Sequence, residues 1–222
     1  MYLENPKKFG MLVEQAHQVA LNVLRPISRK YDKAEHAYPK ELDMLASLLD
    51  GMNEGAPGSA GATSATGGSS TSNAGEVKNG SNMSTALGIM EMCWGDVGLL
   101  LAMPRQGLGN AAIAAVANDE QLERFKGTWA AMAITEPNCG SDSAAIRTTA
   151  VKDGDDYILN GEKIYVTSGA RADSVVVWAT LDKNIGRAAI KSFVVKHGTP
   201  GMEIARLEKK LGIKASDTAA IN

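Results

Sequence analysis

The residue types best suited to hold a phosphate or a polar ring fall in three short stretches. The first is WAAMAITEPNCGSD, residues 129–142. Residues 129–135 are small, apolar and strand-like, and at Glu136-Pro137 the strand must stop because Pro137 has no N–H to give a ladder. The loop at 138–142 offers Gly140, the Ser141 hydroxyl and free backbone N–H groups just past a strand end, which is how folds cradle a phosphate or a polar ring edge. An ordinary strand and turn has the same composition, so the stretch does not decide alone. The second stretch is NGEKIYVTSGARAD, residues 160–173, and the third KKLGIKASDT, residues 209–218. Read singly, Thr135 and Thr167 are ordinary strand threonines.

Other chemistries find little support. Cys93 and Cys139 are too few and too isolated for a disulfide framework or a metal site. Cys139 lies in the central loop, where a small space-filler is the simpler reading than a reactive thiol. His17, His36 and His197 stand in unrelated contexts, with no Ser or Cys at a spacing that suits nucleophilic catalysis. Lys plus Arg total 23 against 25 for Asp plus Glu, a net charge of -2 with no dense basic cluster, which gives no reason to expect nucleic acid or an anionic membrane. No apolar run is long enough to span a bilayer. The residues after Phe9 lack a signal peptide's apolar region, since Glu14, Gln15, His17 and Gln18 interrupt it, so a cytoplasmic chain is expected.

The elements that must position these stretches can be read from periodicity. The 222 residues, 44% apolar, suffice for one large domain or two small ones. Asn5-Pro6 is a helix start, and Phe9, Leu12, Val13, Ala16, Val19, Ala20, Val23, Leu24 and Ile27 recur at helical spacing until Pro26 kinks or divides the helix. Leu42, Leu45, Ala46, Leu48 and Leu49 mark a second short helix after Pro39. Residues 55–82 shift to Gly, Ala, Ser, Thr and Asn, a composition that buries too little surface to offset ordering and predicts a flexible loop. Helical patterns return at 83–92 and 107–117 and after Asp119. Met83, Met90, Met92 and Met103 suit an adaptable pocket, with core filling the simpler reading.

After Gly127 the period becomes alternating. Strands are expected at 146–151, 157–159, 163–167, 174–181, 190–195 and 202–206, with hairpin turns at Asp153-Gly154 and Asn160-Gly161. Helices followed by strands predict an α+β chain: an all-α domain over 1–127 and a small antiparallel β domain over 128–222.

Taken together, the three stretches resemble the acyl-CoA dehydrogenase family, flavoenzymes that oxidise the α,β bond of acyl thioesters. The resemblance implies the family's N-terminal helical and middle β-barrel domains. It implies FAD as cofactor, an acyl-CoA as substrate, an electron-transfer flavoprotein as electron acceptor, and a homo- or hetero-oligomer. By the same resemblance Met132, Ala133, Ile134, Thr135, Gly140 and Ser141 would line the isoalloxazine and pyrophosphate, with Ser141 also serving the bound acyl-CoA. Tyr165, Val166 and Thr167 would form the other flavin contact, Thr167 near N5.

The family's catalytic base, a Glu, lies in a C-terminal helical domain. No residue of this sequence is expected in that role, because the chain reaches only Asn222, in a strand just past the third stretch. Glu136 belongs to the architecture of the loop instead. Tyr165 stands where the family usually has Trp, Ser168 where Asn is common, Asn138-Cys139 where Gly-Ala is frequent and Lys214 where Arg is usual. Lysine keeps the charge but loses the bidentate fork. Two alternatives accompany this reading: an acyl-CoA oxidase of the same fold, and a non-catalytic subunit completing a partner's site.

Overall fold

The computed structural model describes residues 7–53, 81–104 and 108–222. The expected helix start at Asn5-Pro6 and residues 55–80 of the expected loop lie outside them, while Ser81 and Asn82 already open a helix. The chain divides into two compact units, Met1–Met103 with Lys210–Ser216, and Pro104–Lys209 with Asp217–Asn222.

Helices α1 (Gly10–Val19), α2 (Arg25–Lys33), α3 (Glu41–Asn53) and α4 (Ser81–Leu101) build the first unit. Pro26 sits in the first turn of α2, where its ring crowds the preceding carbonyls, and a π-helical turn at Ala20–Leu24 separates α2 from α1. Helix α4 breaks at Asp96, which leaves helical geometry at φ -171° and ψ 118°. The Asp96 carboxylate accepts the Leu99 N–H at 2.8 Å, as an N-cap does for the helical turn that follows, and also accepts from the Ser28 hydroxyl of α2. Leu24, Tyr31, Leu42, Leu45, Leu99 and Met103 form the buried core of this unit together with Ala215, which arrives on the returning segment 210–216.

The second unit holds α5 (Leu108–Val116), α6 (Asp119–Arg124) and eight described strands: β1 (Ala130–Ala133), β2 (Thr149–Asp153), β3 (Asp156–Asn160), β4 (Lys163–Thr167), β5 (Ser174–Thr180), β6 (Ile190–Lys196), β7 (Ile204–Leu207) and β8 (Thr218–Ile221). The chain is thus α+β. The expected β domain forms, with mixed and not purely antiparallel pairing. The strands make two sheets and no closed barrel: a five-stranded one in the order β1-β5-β2-β3 with β6 also on β5, and a three-stranded one in the order β4-β8-β7. Strand β1 runs parallel to β5, with Ala130 opposite Ser174 and Ala133 opposite Val177, and β2 meets β5 in parallel at Thr149 and Thr180. The long excursion from β1 through β4 brings the chain back to pair β5 in the same direction, which a tight hairpin cannot do.

The Asp153-Gly154 turn does close a hairpin between β2 and β3, with Gly154 at φ +61°. Asn160-Gly161 does not. There the chain leaves one sheet for the other, since β4 pairs with β8. A Cβ on Gly161 would lie 2.3 Å from the Thr148 Oγ1, so the glycine serves a close crossing and not a turn.

Helix α5 lies on β1, which is why the division between units falls before Gly127 and not at it. Asn110, buried on α5, donates to the Thr128 carbonyl at 2.6 Å and accepts the Ala130 N–H at 2.9 Å, fixing the start of β1. A Cβ on Gly109 would stand 2.2 Å from the Ala131 carbonyl oxygen. Gly109→Ala must therefore push α5 off the strand, and we expect a loss of about 3 kcal/mol in a urea titration, as for overpacked cores. An unchanged midpoint would show that the helix does not approach the strand this closely.

Candidate functional site

At the end of β1 the chain makes a tight turn in which the Glu136 N–H donates to the Cys139 carbonyl at 2.9 Å and the Cys139 N–H donates back to the Glu136 carbonyl at 3.2 Å. Pro137 stands exposed at its tip. The Glu136 carboxylate turns inward and is 5% exposed. It accepts from the Arg147 N–H at 2.6 Å, the Thr148 N–H at 2.9 Å, the Thr148 hydroxyl at 2.6 Å and the Lys163 ammonium at 2.8 Å. Lys163, itself 3% exposed, also donates to the Ile134 carbonyl at 3.0 Å. The carboxylate thus ties together β1, the loop, the entry to β2 and the start of β4.

Burial alone would push the Glu136 carboxyl up, but Lys163, the Thr148 hydroxyl and the two N–H groups outweigh it and hold the group at about 2. Burial pulls the Lys163 ammonium below its ordinary value, and Glu136 opposes it. Glu136 has the richer set of partners, so the ionised carboxylate is the better satisfied half of the pair. With its oxygens occupied and its proton held this weakly, Glu136 cannot serve as a general base near neutral pH. Cys139 is buried; desolvation and the Glu136 charge push its thiol up, so it stays protonated and fills space.

The two other stretches meet this loop through β4. The Ile164 N–H donates to the Thr135 carbonyl at 2.9 Å, which sets Thr135 beside β4. The β4–β8 register shifts between Lys163 and Val166, and Tyr165, at φ 58°, is lifted out of the sheet with 61% of its surface exposed. The bulge lets Lys163 face Glu136 and Val166 face the core while the tyrosine ring faces outward. Ala133 and Val166 are each 1% exposed and point into the core, so only their backbones can meet a ligand. Met132, Ile134, Thr135 and Thr167 are half-buried, and Gly140 and Ser141 are exposed.

Among the described residues the hydroxyls of Thr135, Ser141 and Thr167 and the N–H groups of Gly140 and Ser141 make no hydrogen bond to protein. Gly140 lies close enough to Thr135 that a Cβ there would stand 4.0 Å from its Cγ2. The donors left over are those a phosphate or a polar ring edge would use. No group of three or more His, Cys, Asp or Glu suited to a metal exists among the described residues. A recess of about 100 Å³ bordered by Asp32, Asp96, Gly98 and Lys214 lies in the first unit and holds none of these residues.

Thr148 and Asn110 belong to no motif that sequence reasoning singles out, and Lys163 and Asp217 lie within the second and third stretches without a role being read for either. The one signal that could have found any of them is Lys163 itself, a charged residue at the head of an otherwise apolar strand.

The family described as "Acyl-CoA dehydrogenase, middle domain" matches residues 131–222. The short-chain-specific acyl-CoA dehydrogenase of Clostridium acetobutylicum is 44% identical over 91 residues, covering 41% of this chain and 24% of that protein. The acryloyl-CoA reductase (NADH) of Anaerotignum propionicum is 30% identical over 225 residues, covering 95% of this chain and 52% of that protein. Butyryl-CoA dehydrogenase from Megasphaera elsdenii superposes with a TM-score of 0.75 at 28% identity, over 100% of this chain and 56% of that chain. Residues 131–222 match the acyl-CoA dehydrogenase middle domain, and the chain is similar over its length to proteins of that name. It spans about half the length, or less, of these relatives.

Because Glu136 has a lower pKa folded than unfolded, its contribution to stability is complete above the unfolded value and is lost as pH falls toward the folded one. Stability should therefore fall as the pH drops from 4.5 to about 2. Glu136→Gln leaves the Lys163 ammonium buried without its counter-charge, at a cost of about 3–5 kcal/mol, and should lose this part of the acid dependence. Urea titrations between neutral pH and about pH 3 measure both effects. A variant as acid-sensitive as the parent would contradict the assignment.

Proposed function

We propose that this chain supplies the flavin-facing and part of the thioester-facing wall of an FAD-dependent acyl-CoA dehydrogenase, which removes hydrogen across the α,β bond of an acyl-CoA and passes electrons to an electron-transfer flavoprotein. The observation that carries this reading is the set of unused donors at Thr135, Gly140, Ser141 and Thr167, which together with the exposed Tyr165 all lie within the residues that match the family's middle domain. The names of the relatives support the substrate class: a short-chain acyl-CoA, butyryl-CoA and acryloyl-CoA are all small acyl thioesters. A solved neighbour described as an FAD complex of PigA, 21% identical, supports the fold alone.

FAD, when bound, supplies the two-electron acceptor for the hydride that leaves the β-carbon. The chain's own part is to bind and orient. The Thr135 and Thr167 hydroxyls would donate to polar edges of the ring system, the Gly140 and Ser141 N–H groups would meet phosphate oxygens, and Tyr165 would offer an aromatic face. Val166 and Ala133 are buried in the core of the second unit. The base that takes the α-proton is not Glu136, whose carboxylate is held ionised inside the loop.

Titration of the chain with FAD, followed by quenching of flavin fluorescence, tests the reading. Ser141→Asp places a negative charge beside the pyrophosphate and should weaken FAD binding by about tenfold or more. Equal affinity would put the pyrophosphate elsewhere. Thr167→Val should keep the fold and change the visible spectrum of bound flavin, whereas an identical spectrum would remove Thr167 from the ring's edge.

A further inference from the structure

A second buried carboxylate lies close to the site without facing it. Asp217 is 1% exposed. Its Oδ2 accepts the Ala170 N–H at 2.9 Å, its Oδ1 lies 3.4 Å from the Arg171 Nε, and its backbone carbonyl accepts the Ser168 N–H at 3.2 Å. One residue from the far end of the chain thus holds the whole turn that follows β4. The turn begins at Ser168, a non-glycine residue at φ 60°. Left-handed backbone of this kind is unfavourable for a residue with a Cβ and persists only where its surroundings over-determine it.

We infer that Asp217 is a positioning residue for the Thr167 side of the site, fixing the Ser168 turn so that the Thr167 hydroxyl and the Tyr165 ring keep one orientation. The inference rests on the flavin reading above and deepens it, since Asp217 acts on the flavin's surroundings through the turn and not by contact. The register supports the connection. Thr167 pairs with Thr218 and Val166 with Ala219, so the residue before Thr218 is the one placed to reach past the end of β4. Within the turn, the Gly169 N–H donates to the Val166 carbonyl at 3.1 Å and the Ala172 N–H to the Ser168 carbonyl at 2.9 Å, which leaves the Ala170 N–H for the carboxylate. Without the carboxylate this donor has no partner and the turn loses the side-chain contacts that keep Ser168 left-handed.

The test compares the unaltered chain with Asp217→Ala, Ser168→Gly and the double variant, reading FAD affinity, the visible spectrum and the midpoint potential of the bound flavin. Asp217→Ala should weaken FAD binding by about tenfold and shift the spectrum and potential. Glycine takes the left-handed conformation without help, so in the Ser168→Gly background the same Asp217→Ala change should leave affinity within about threefold and restore the spectrum. A purely structural carboxylate would not be made dispensable by that glycine. Should the single Asp217→Ala variant fail to fold, the comparison within the Ser168→Gly background decides. A folded Asp217→Ala chain with unaltered affinity and spectrum overturns the inference, as does a loss that persists undiminished with Gly at 168. If the unaltered chain takes up no FAD, the flavin reading itself falls and this inference with it, an outcome seen without any variant.

Discussion

A carboxylate and an ammonium, each almost wholly removed from water, lie 2.8 Å apart at Glu136 and Lys163, and the shape of the site follows from the need to satisfy them. Desolvating such a pair is expensive, and only good geometry with further hydrogen bonds makes it tolerable. Here the further bonds come from Arg147, Thr148 and Ile134, which belong to different parts of the chain. Each bond made to relieve a buried charge also fixes a segment. The turn at 136–139, the entry to β2 and the head of β4 are thereby held in one arrangement, and the donors at 140–141 are left facing solvent.

The ion pair works through the bulge in β4. A regular strand would send Lys163 and Tyr165 to the same face. The register shift and the positive φ at Tyr165 separate them, sending the lysine to the buried carboxylate and the ring outward. The positive-φ positions at Tyr165 and Ser168 flank Thr167, and the Ser168 turn carries the buried Asp217 carboxylate on its Ala170 N–H. Strain placed beside candidate ligand contacts and stabilised from behind is the pattern expected of a preorganised site.

Local features of the chain are legible in its sequence. Alternation marks most of the strands to within a few residues, Pro26 marks the division of the first helix, and the loop after Pro137 declares itself by its glycine and hydroxyl. Relations between distant residues are not legible in the same way. Alternation says which residues share a face but not which strand lies alongside, so an antiparallel domain is expected where β1 in fact pairs in parallel with β5. Asn160-Gly161 has the composition of a hairpin turn, yet its glycine answers to Thr148. Lys163 and Asp217 look like surface charges in their local context, and their partners lie 27 and 47 positions away.

The most direct measurement is a double-mutant cycle on FAD affinity using Glu136→Gln, Lys163→Met and the two together. If the buried pair holds the loop that holds the flavin, each single change should weaken binding, and the double change should cost less than the sum, with a coupling of about 1 kcal/mol or more. Additive losses, or affinities that do not change, would show that the loop keeps its form without the pair and would contradict the account.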